Sequence, residues 1–501
     1  MQTCLVFPPF SNPTFIPYHC LDLIGYIQNR SPNSTIDFVD WNIACFNSTI
    51  NESVEPFKTF QLYKNYTKYL QLAHNIAYQW SQIANALSAE CFNFLQEETE
   101  CPQFIREQFS KELIFNIDCI AFSLTYHQRG GLSQLFATIA AAKWISEIKP
   151  NIKIIIGGAL LNHLDPKEIL QCFPFIDVVF VKESEESFAH YLSNPEEINH
   201  IPNLVYRNES GIIATQETNN IEHSIDYSPS LSHINFSDYL LPTSVISIQY
   251  QRGCAWNKCQ FCAQNHSYFS EGSGDGTQNF VKKINYLKDC GVAHFYISDQ
   301  MLLPQNINFF SKLFSGQNCH WTFMCFPQKG FSKEVLLTAK NSGCDWVTWG
   351  VESGSEYILK LMNKPIQIDI VEETIATAHS IGIKNVLLLM YGYPGETPAD
   401  FDLTIQLIKK LTPHFYDHSL SPFHLLRHSS LLNQAREKGL SLFEPEIIFQ
   451  NHLGSIHSNL IPFSHPTTNH DWYPSHLPPM KTTTPYAEHM IILSAIHKEF
   501  D

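Results

Sequence analysis

The sequence predicts an α/β protein: a Rossmann-like, doubly wound domain over residues 1–200, a TIM-type barrel over 246–410 and an irregular C-terminal cap over 411–501. Two observations carry this reading. Short β-branched runs that end in Gly or polar residues alternate with helical stretches, the pattern of a parallel sheet covered on both faces. The series runs once to about residue 200 and begins again at VISIQYQRG, after a Pro/Ser-rich stretch. A chain of 501 residues is long enough for two or three separate cores.

TCLVF is the first strand and runs into the loop PPFSNP, followed by a helix through Leu21–Gln28. TIDFVD is the second strand, and residues 52–112 read as an aromatic, helical insert. CIAFSLT, NIKIIIGG and IDVVFV are further strands, with an Ala-rich helix through Leu135–Ile148 after the first of them and Lys182–Glu183 closing the last. Residues 201–245 combine a hairpin-like stretch, IPNLVYRNESGIIATQ, with a linker. The second series continues through AHFYISD, CHWTFMCF, CDWVTWGVE and KNVLLLMYGYP, with helices at Val281–Cys290, Ser332–Ser342 and Ile370–Ile381 between them. In such barrels the chemistry sits at the C-terminal ends of the strands. Beyond 410 His and Pro become frequent, and one last helix is expected around Ala487–Phe500. There are no internal repeats.

A hydrophobic fraction of 44% and a charged fraction of 16% suit a globular protein. The net charge of −16 argues against a general nucleic-acid binder, which needs a basic face. No apolar run is long enough for a membrane span, and the start MQTCLVFPPFSNP lacks the features of a signal peptide. The expectation is a cytoplasmic protein with no membrane or nucleic-acid partner, so the sequons at Asn33 and Asn47 carry no weight. Of fourteen cysteines only Cys254, Cys259 and Cys262 form a tight group; most of the others are expected to be buried, inert thiols.

The group lies in QRGCAWNKCQFCAQN, on the loop after a strand. Three thiolates at this spacing can hold three irons of a [4Fe–4S] cube and leave the fourth open. The alternative is a structural zinc site, with His266 as a further ligand. The segment resembles the radical S-adenosylmethionine (SAM) superfamily signature Cys-x3-Cys-x2-Cys, in which an aromatic precedes the last Cys, here Phe261. It departs from the signature by carrying four residues, Ala255 to Lys258, between the first two cysteines. The resemblance implies a partial (β/α)6 barrel whose cluster, reduced by an external electron donor, cleaves SAM to a 5′-deoxyadenosyl radical. The protein would then supply orientation and exclusion of water.

Further stretches resemble landmarks of the same superfamily in the same order. Ser298, Asp299 and Gln300 stand where the family contacts the SAM amino group. WGVESGSEYILKLMNK resembles a segment that would put Glu352 or Ser353 near the SAM ribose or methionine moiety. LMYGYPGET, Leu389 to Thr397, resembles a stretch near the adenine, and HLLRHSSLLNQAREKGL one that closes the barrel. Each has a plainer reading: Pro-Gly is a common turn, and a lone Glu is commonly a surface or N-cap residue.

The N-terminal half resembles the cobalamin-binding domain that precedes the barrel in one large radical SAM class. CIAFSLTYHQ, IIIGGALLN and IDVVFVKESEESF carry the similarity, with Lys182, Ser184 and Glu185 framing the acidic turn. The resemblance implies that Gly157 and Gly158 let the backbone approach a flat ligand, and that Ser123 and Thr125 contact the nucleotide tail of cobalamin. The plainer reading of Gly-Gly is tight strand–helix packing. His127 and Gly130 resemble part of a cobalt-ligating Asp-x-His-x-x-Gly motif, but Thr125 replaces the Asp and the segment follows a middle strand. The loop after the first strand has His19 but no such pattern. The expectation is therefore a cobalt without a protein His ligand, or no cobalamin.

The linker ending in NFSDYL, the cysteine loop and the C-terminal segment look most similar to radical SAM proteins that mature ribosomally made peptides. Three functions follow as expectations: a cobalamin-dependent methyltransferase acting on a peptide or small-molecule natural product, a cobalamin-independent radical SAM enzyme with an architectural N-terminal domain, or a non-catalytic iron–sulfur or zinc protein. Tyr63, Tyr66, Tyr69, Tyr78 and Trp80 of the insert could line a substrate cleft, although aromatics at helical spacing are more often core.

Overall fold

Two parallel sheets organise the chain. The computed structural model describes residues 1–50, 53–63, 65–125, 131–218, 226–263, 275–316 and 319–466. Met1–Pro242 with Ile447–Ser458 make one unit; Thr243–Glu446 with the described residues from Asn459 onward make the other.

The first unit holds β1 (Gln2–Phe7), β2 (Thr35–Asp40), β3 (Cys119–Ser123), β4 (Lys153–Gly157), β5 (Val178–Phe180), β6 (Leu204–Asn208) and β7 (Gly211–Ala214). Their order is β2-β1-β3-β4-β5-β6-β7. β1 to β5 are parallel, whereas β6 and β7 add as an antiparallel hairpin. That hairpin extends the sheet and so belongs to the first unit, not to a linker over 201–245. Strand order reverses between β1 and β3, the switch point at which open α/β sheets bind ligands. β3 is buried at every residue, which its unbroken apolar run CIAFS requires.

The insert is dominated by the helix Tyr66–Leu95, whose N-cap Asn65 accepts from Lys68 N–H. It packs beside the helix Gly131–Ile148, where Ala137, Ala140, Ala141 and Ala142 are fully buried and let the two approach. Tyr69 and Trp80 belong to the core and Tyr78 is exposed. The side chains of Tyr63 and Tyr66 lie outside the described set.

A hairpin from the C-terminal segment, Ile447–Asn451 with Gly454–His457, belongs to this first unit. Phe449 packs against Phe173 and Phe92, Asn451 Nδ2 donates to Cys172 O, and His457 Nδ1 lies 2.8 Å from Glu168 Oε1. The helix expected around Ala487–Phe500 lies outside the described residues.

The second unit holds β8 (Val245–Ile248), β9 (His294–Ile297), β10 (His320–Cys325), β11 (Cys344–Glu352), β12 (Lys384–Tyr391) and β13 (Asp417–Pro422). All neighbours are parallel and lie in sequential order, as in an incomplete TIM-type barrel. β11 is buried along its whole length. β13 lies beyond residue 410 and reads DHSLSP, which has no strand-like apolar pattern; pairing with the apolar β12 makes it a strand. Between strands, helix starts are set by local chemistry: Ser332 caps Lys333–Asn341, and Thr397 with Asp400 forms a capping box on Pro398–Leu411.

Candidate cofactor and active site

The loop after β8 is fixed at both ends. Asp299, fully buried past the end of β9, accepts from Tyr250 N–H at 2.7 Å and Gln251 N–H at 3.1 Å through Oδ1. Ser298 N–H and Oγ both donate to Ile248 O. Two members of the Ser298, Asp299, Gln300 triplet thus hold the chain that enters the cysteine loop; Gln300 is half-buried.

The loop is then joined to the turn that ends the helix Glu356–Leu361, the first helix after β11. Gln260 N–H donates to Met362 O at 2.9 Å, Trp256 Nε1 to Asn363 O at 2.8 Å, and Asn363 Nδ2 to Lys258 O at 3.0 Å. Gln260 O accepts from Leu431 N–H, within the segment expected to close the barrel. Phe261 packs against a core made of Ile358, Met362, Tyr393, Leu425 and Leu431.

Cys254, Cys259 and Cys262 are half-buried, whereas ten of the other eleven cysteines are fully buried and Cys290 is exposed. Burial pushes the Cys259 thiol up to about 12; the Lys364 ammonium pulls it back, while Cys262, Glu352 and Cys254 add to the rise. Among the described residues no three His, Cys, Asp or Glu side chains already converge at metal-ligating spacing. The fit of an iron–sulfur cluster therefore rests on the donor set, three accessible thiols on one anchored loop beside a cation, not on preformed coordination. His266 lies outside the described residues.

Glu352 ends β11 with a φ of 67°, a left-handed conformation uncommon for a residue with a Cβ, next to a register shift between Gly350 and Glu352. Its carboxylate pairs with Lys364 Nζ, and the two side chains are only 11% and 7% exposed. A Cβ on Gly350 would sit 2.9 Å from both charged ends, so the missing side chain makes room for the pair. Ser353 is occupied differently: its Oγ lies 3.3 Å from Thr404 Oγ1 and accepts from Ser355 N–H. Ser355 caps the helix Glu356–Leu361 and donates to Asp400. Gly354 passes so close to the helix Pro398–Leu411 that a Cβ would lie 2.5 Å from Leu403 O. The ESGS segment is thus largely a packing device, with Glu352 its chemically distinct member.

In LMYGYPGET, Glu396 Oε2 accepts from Gly392 N–H and Tyr393 donates to Leu361 O at 3.3 Å. Burial, then the neighbouring Cys259, push the Tyr393 phenol above its ordinary range, which puts this turn beside the cysteine loop. Two residues escaped the sequence reading. Lys364 is the last residue of the quoted WGVESGSEYILKLMNK run, and nothing local marks it as buried. Gln251 is fully buried three residues before Cys254, and neither Nε2 nor Oε1 has a hydrogen-bond partner. A buried carboxamide without partners costs stability and points to a ligand.

At the switch point of the first sheet, Thr125 N–H donates to Gln134 Oε1 at 2.7 Å, and Gln134 Nε2 donates to Pro8 O. Thr125 Oγ1 also lies 3.2 Å from Ser11 Oγ, and Trp80 of the insert donates to Ser11 O. Ser123, the last residue of β3, is buried. Gly158 has a φ of 103°, and a Cβ there would lie 2.3 Å from Leu124 O, so packing alone demands glycine. Gly157 differs: a Cβ would meet only Phe180 Cβ at 3.5 Å, an ordinary contact. It is half-buried at the end of β4, so packing does not require glycine there. His127 and Gly130 lie outside the described residues.

A sequential parallel sheet with a three-cysteine loop after its first strand defines the class, and residues 248–408 match the radical SAM superfamily model. The chain carries a radical SAM domain and with it the character of an enzyme. It is 25% identical over 293 residues to an uncharacterized methyltransferase of Pyrococcus horikoshii, covering 56% of this chain and 62% of that protein. It is 24% identical over 328 residues to a tRNA-2-methylthio-N(6)-dimethylallyladenosine synthase of Clostridium botulinum, covering 62% and 67%. Among solved structures, the radical SAM methyltransferase TsrM of Kitasatospora setae, with cobalamin and a [4Fe–4S] cluster bound, superposes with a TM-score of 0.59 at 14% identity, over 88% of this chain and 80% of that one. The cobalamin-dependent radical SAM enzyme OxsB does so with a TM-score of 0.59 at 12% identity, over 91% and 64%. These likenesses describe the fold. No helix among the described residues is long and apolar enough to cross a membrane.

Proposed function

We propose that this protein is a cobalamin-dependent radical SAM methyltransferase that modifies a carbon of a peptide or small natural product. The observation that carries the reading is the combination, in one chain, of a β2-β1-β3-β4-β5 parallel sheet with a sequential six-stranded sheet bearing the cysteine loop. Cys254, Cys259 and Cys262 would hold the cluster, with Phe261, Ser298, Asp299, Gln300, Glu352 and Ser353 around SAM. Gly157, Gly158, Ser123 and Thr125 would lie along the cobalamin side. When bound, the cluster supplies the electron that cleaves SAM, and cobalamin supplies a methyl carrier. The chain's own share is positional: Asp299 fixes the entry to the cysteine loop, the turn at Met362–Asn363 fixes its far side, and Gln251 offers a neutral carboxamide to a bound molecule. A net charge of −16 favours a neutral or basic substrate over RNA.

The internal engagement of Thr125 and Gly158 favours one alternative, a radical SAM enzyme whose first unit is a scaffold. Anaerobic reconstitution with iron, sulfide and cobalamin separates them. About four irons and one cobalamin per chain, with methionine and 5′-deoxyadenosine formed from one SAM and S-adenosylhomocysteine from another, support the methyltransferase. Four irons without cobalamin support the scaffold, and zinc in place of iron overturns both.

A further inference from the structure

We propose that Lys364, held by Glu352 beside the cysteine loop, sets the reduction potential of the iron–sulfur cluster. The inference rests on the reading that Cys254, Cys259 and Cys262 hold a cluster. Lys364 reaches the loop through a stapled turn: Met362 O and Asn363 O accept from Gln260 N–H and Trp256 Nε1, and Asn363 Nδ2 donates to Lys258 O. Its ammonium is turned away from water, paired with Glu352, and lies 5.8 Å from the Phe261 ring centroid and 5.5 Å from that of Phe326. Phe261 directly precedes Cys262, and Lys364 acts electrostatically on Cys259. Desolvating an ammonium is costly, so a position that served packing alone would favour an apolar side chain. Gly350, whose Cβ would strike both charged ends, indicates that the strand itself is shaped around the pair.

Reduction adds one electron, taken from an external one-electron donor, to a cluster whose thiolate ligands are already anionic. A fixed cation in a poorly solvated setting favours the reduced form and raises the potential; the Glu352 carboxylate offsets part of that effect. The two charges therefore act in opposite directions, which a purely structural role would not do.

The test is a potentiometric titration with dithionite and mediators, followed by electron paramagnetic resonance, on the full chain reconstituted with iron and sulfide in the absence of SAM. The potential is expected to fall in Lys364→Met, to return towards the wild-type value in Lys364→Arg, and to rise in Glu352→Gln. If Lys364→Met does not hold iron, the Glu352→Gln/Lys364→Met double variant leaves no unpaired buried charge and is compared with Glu352→Gln; a lower potential in the double variant supports the proposal. Unchanged potentials, or shifts of the same sign in Lys364→Met and Glu352→Gln, overturn it while leaving the cluster reading intact. A wild-type chain that takes up no four-iron cluster overturns the cluster reading, and this proposal with it.

Discussion

The C-terminal edges of the two parallel sheets are finished in different ways. In the first unit the chain largely satisfies its own edge: Gln134 joins Thr125 to Pro8, Asn42 Oδ1 accepts from Ser11 N–H, and Trp80 closes over Ser11, with Asn42 Nδ2 left unpaired. In the second unit a buried ion pair sits at the end of the longest strand of its sheet, and a buried glutamine has no partner for either amide atom. The difference teaches where binding energy is held in reserve. An edge whose polar groups are paired internally gains little from a ligand, whereas one that keeps desolvated polar groups unpaired gains their full hydrogen bonds when a molecule arrives.

The largest way to break the contrast is to empty the second edge of its cofactor. Cys259→Ser is expected to reduce bound iron from about four per chain to near zero and to abolish SAM cleavage, read by iron assay and product chromatography. Iron retained in full would remove the cysteine loop from the site.

Next in size is a paired substitution on the first edge. Gly158→Ala is expected to cost about 1–3 kcal/mol, from a positive φ and the Leu124 backbone. Gly157→Ala is expected to be nearly neutral to stability but to weaken cobalamin uptake, read as corrinoid absorbance after desalting. Equal effects on melting temperature would show that Gly157, too, is there for packing.

A smaller effect sharpens the second edge. Gln251→Leu removes two unpaired polar atoms and is expected to leave stability unchanged or raise it by about 1 kcal/mol, measured by chemical denaturation. A clear loss of stability would mean that the carboxamide works within the fold rather than for a ligand.

The smallest is a pH effect at the end of β2. Asp40 caps the helix Trp41–Thr49 and accepts from Tyr239, yet burial lifts its carboxyl to about 6. A carboxyl raised in the folded state adds stability when protonated, below its unfolded pKa, and that contribution is lost as pH rises through about 6. Asp40→Asn, which can still cap, is expected to gain in melting temperature relative to the wild type between pH 4 and pH 7. A constant difference across that range would refute the linkage.

Much of the architecture was legible because strands buried on both faces carry dense apolar and β-branched stretches, as in CIAFS, the III of KIIIG and the WVTWGV of CDWVTWGVE. The cysteine loop was legible because its chemistry is local, three thiols within nine residues of one loop. DHSLSP was not, since no local propensity marks it and only the edge of β12 makes it a strand. The return of Ile447–Ser458 to the first unit was equally hidden, because its signal is the fit of Phe449 between rings distant in sequence.

The sequence by itself determined the two βα series, the cysteine loop and the order of the segments around it, since periodicity and spacing are properties of neighbouring residues. Tertiary structure alone decided that Asp299 clamps the loop entry, that Ser353 and Gly158 are also engaged within the fold, and that Lys364 and Gln251 are removed from water. Burial of a polar side chain depends on what packs over it from elsewhere in the chain, and that information appears only when the sheet has formed.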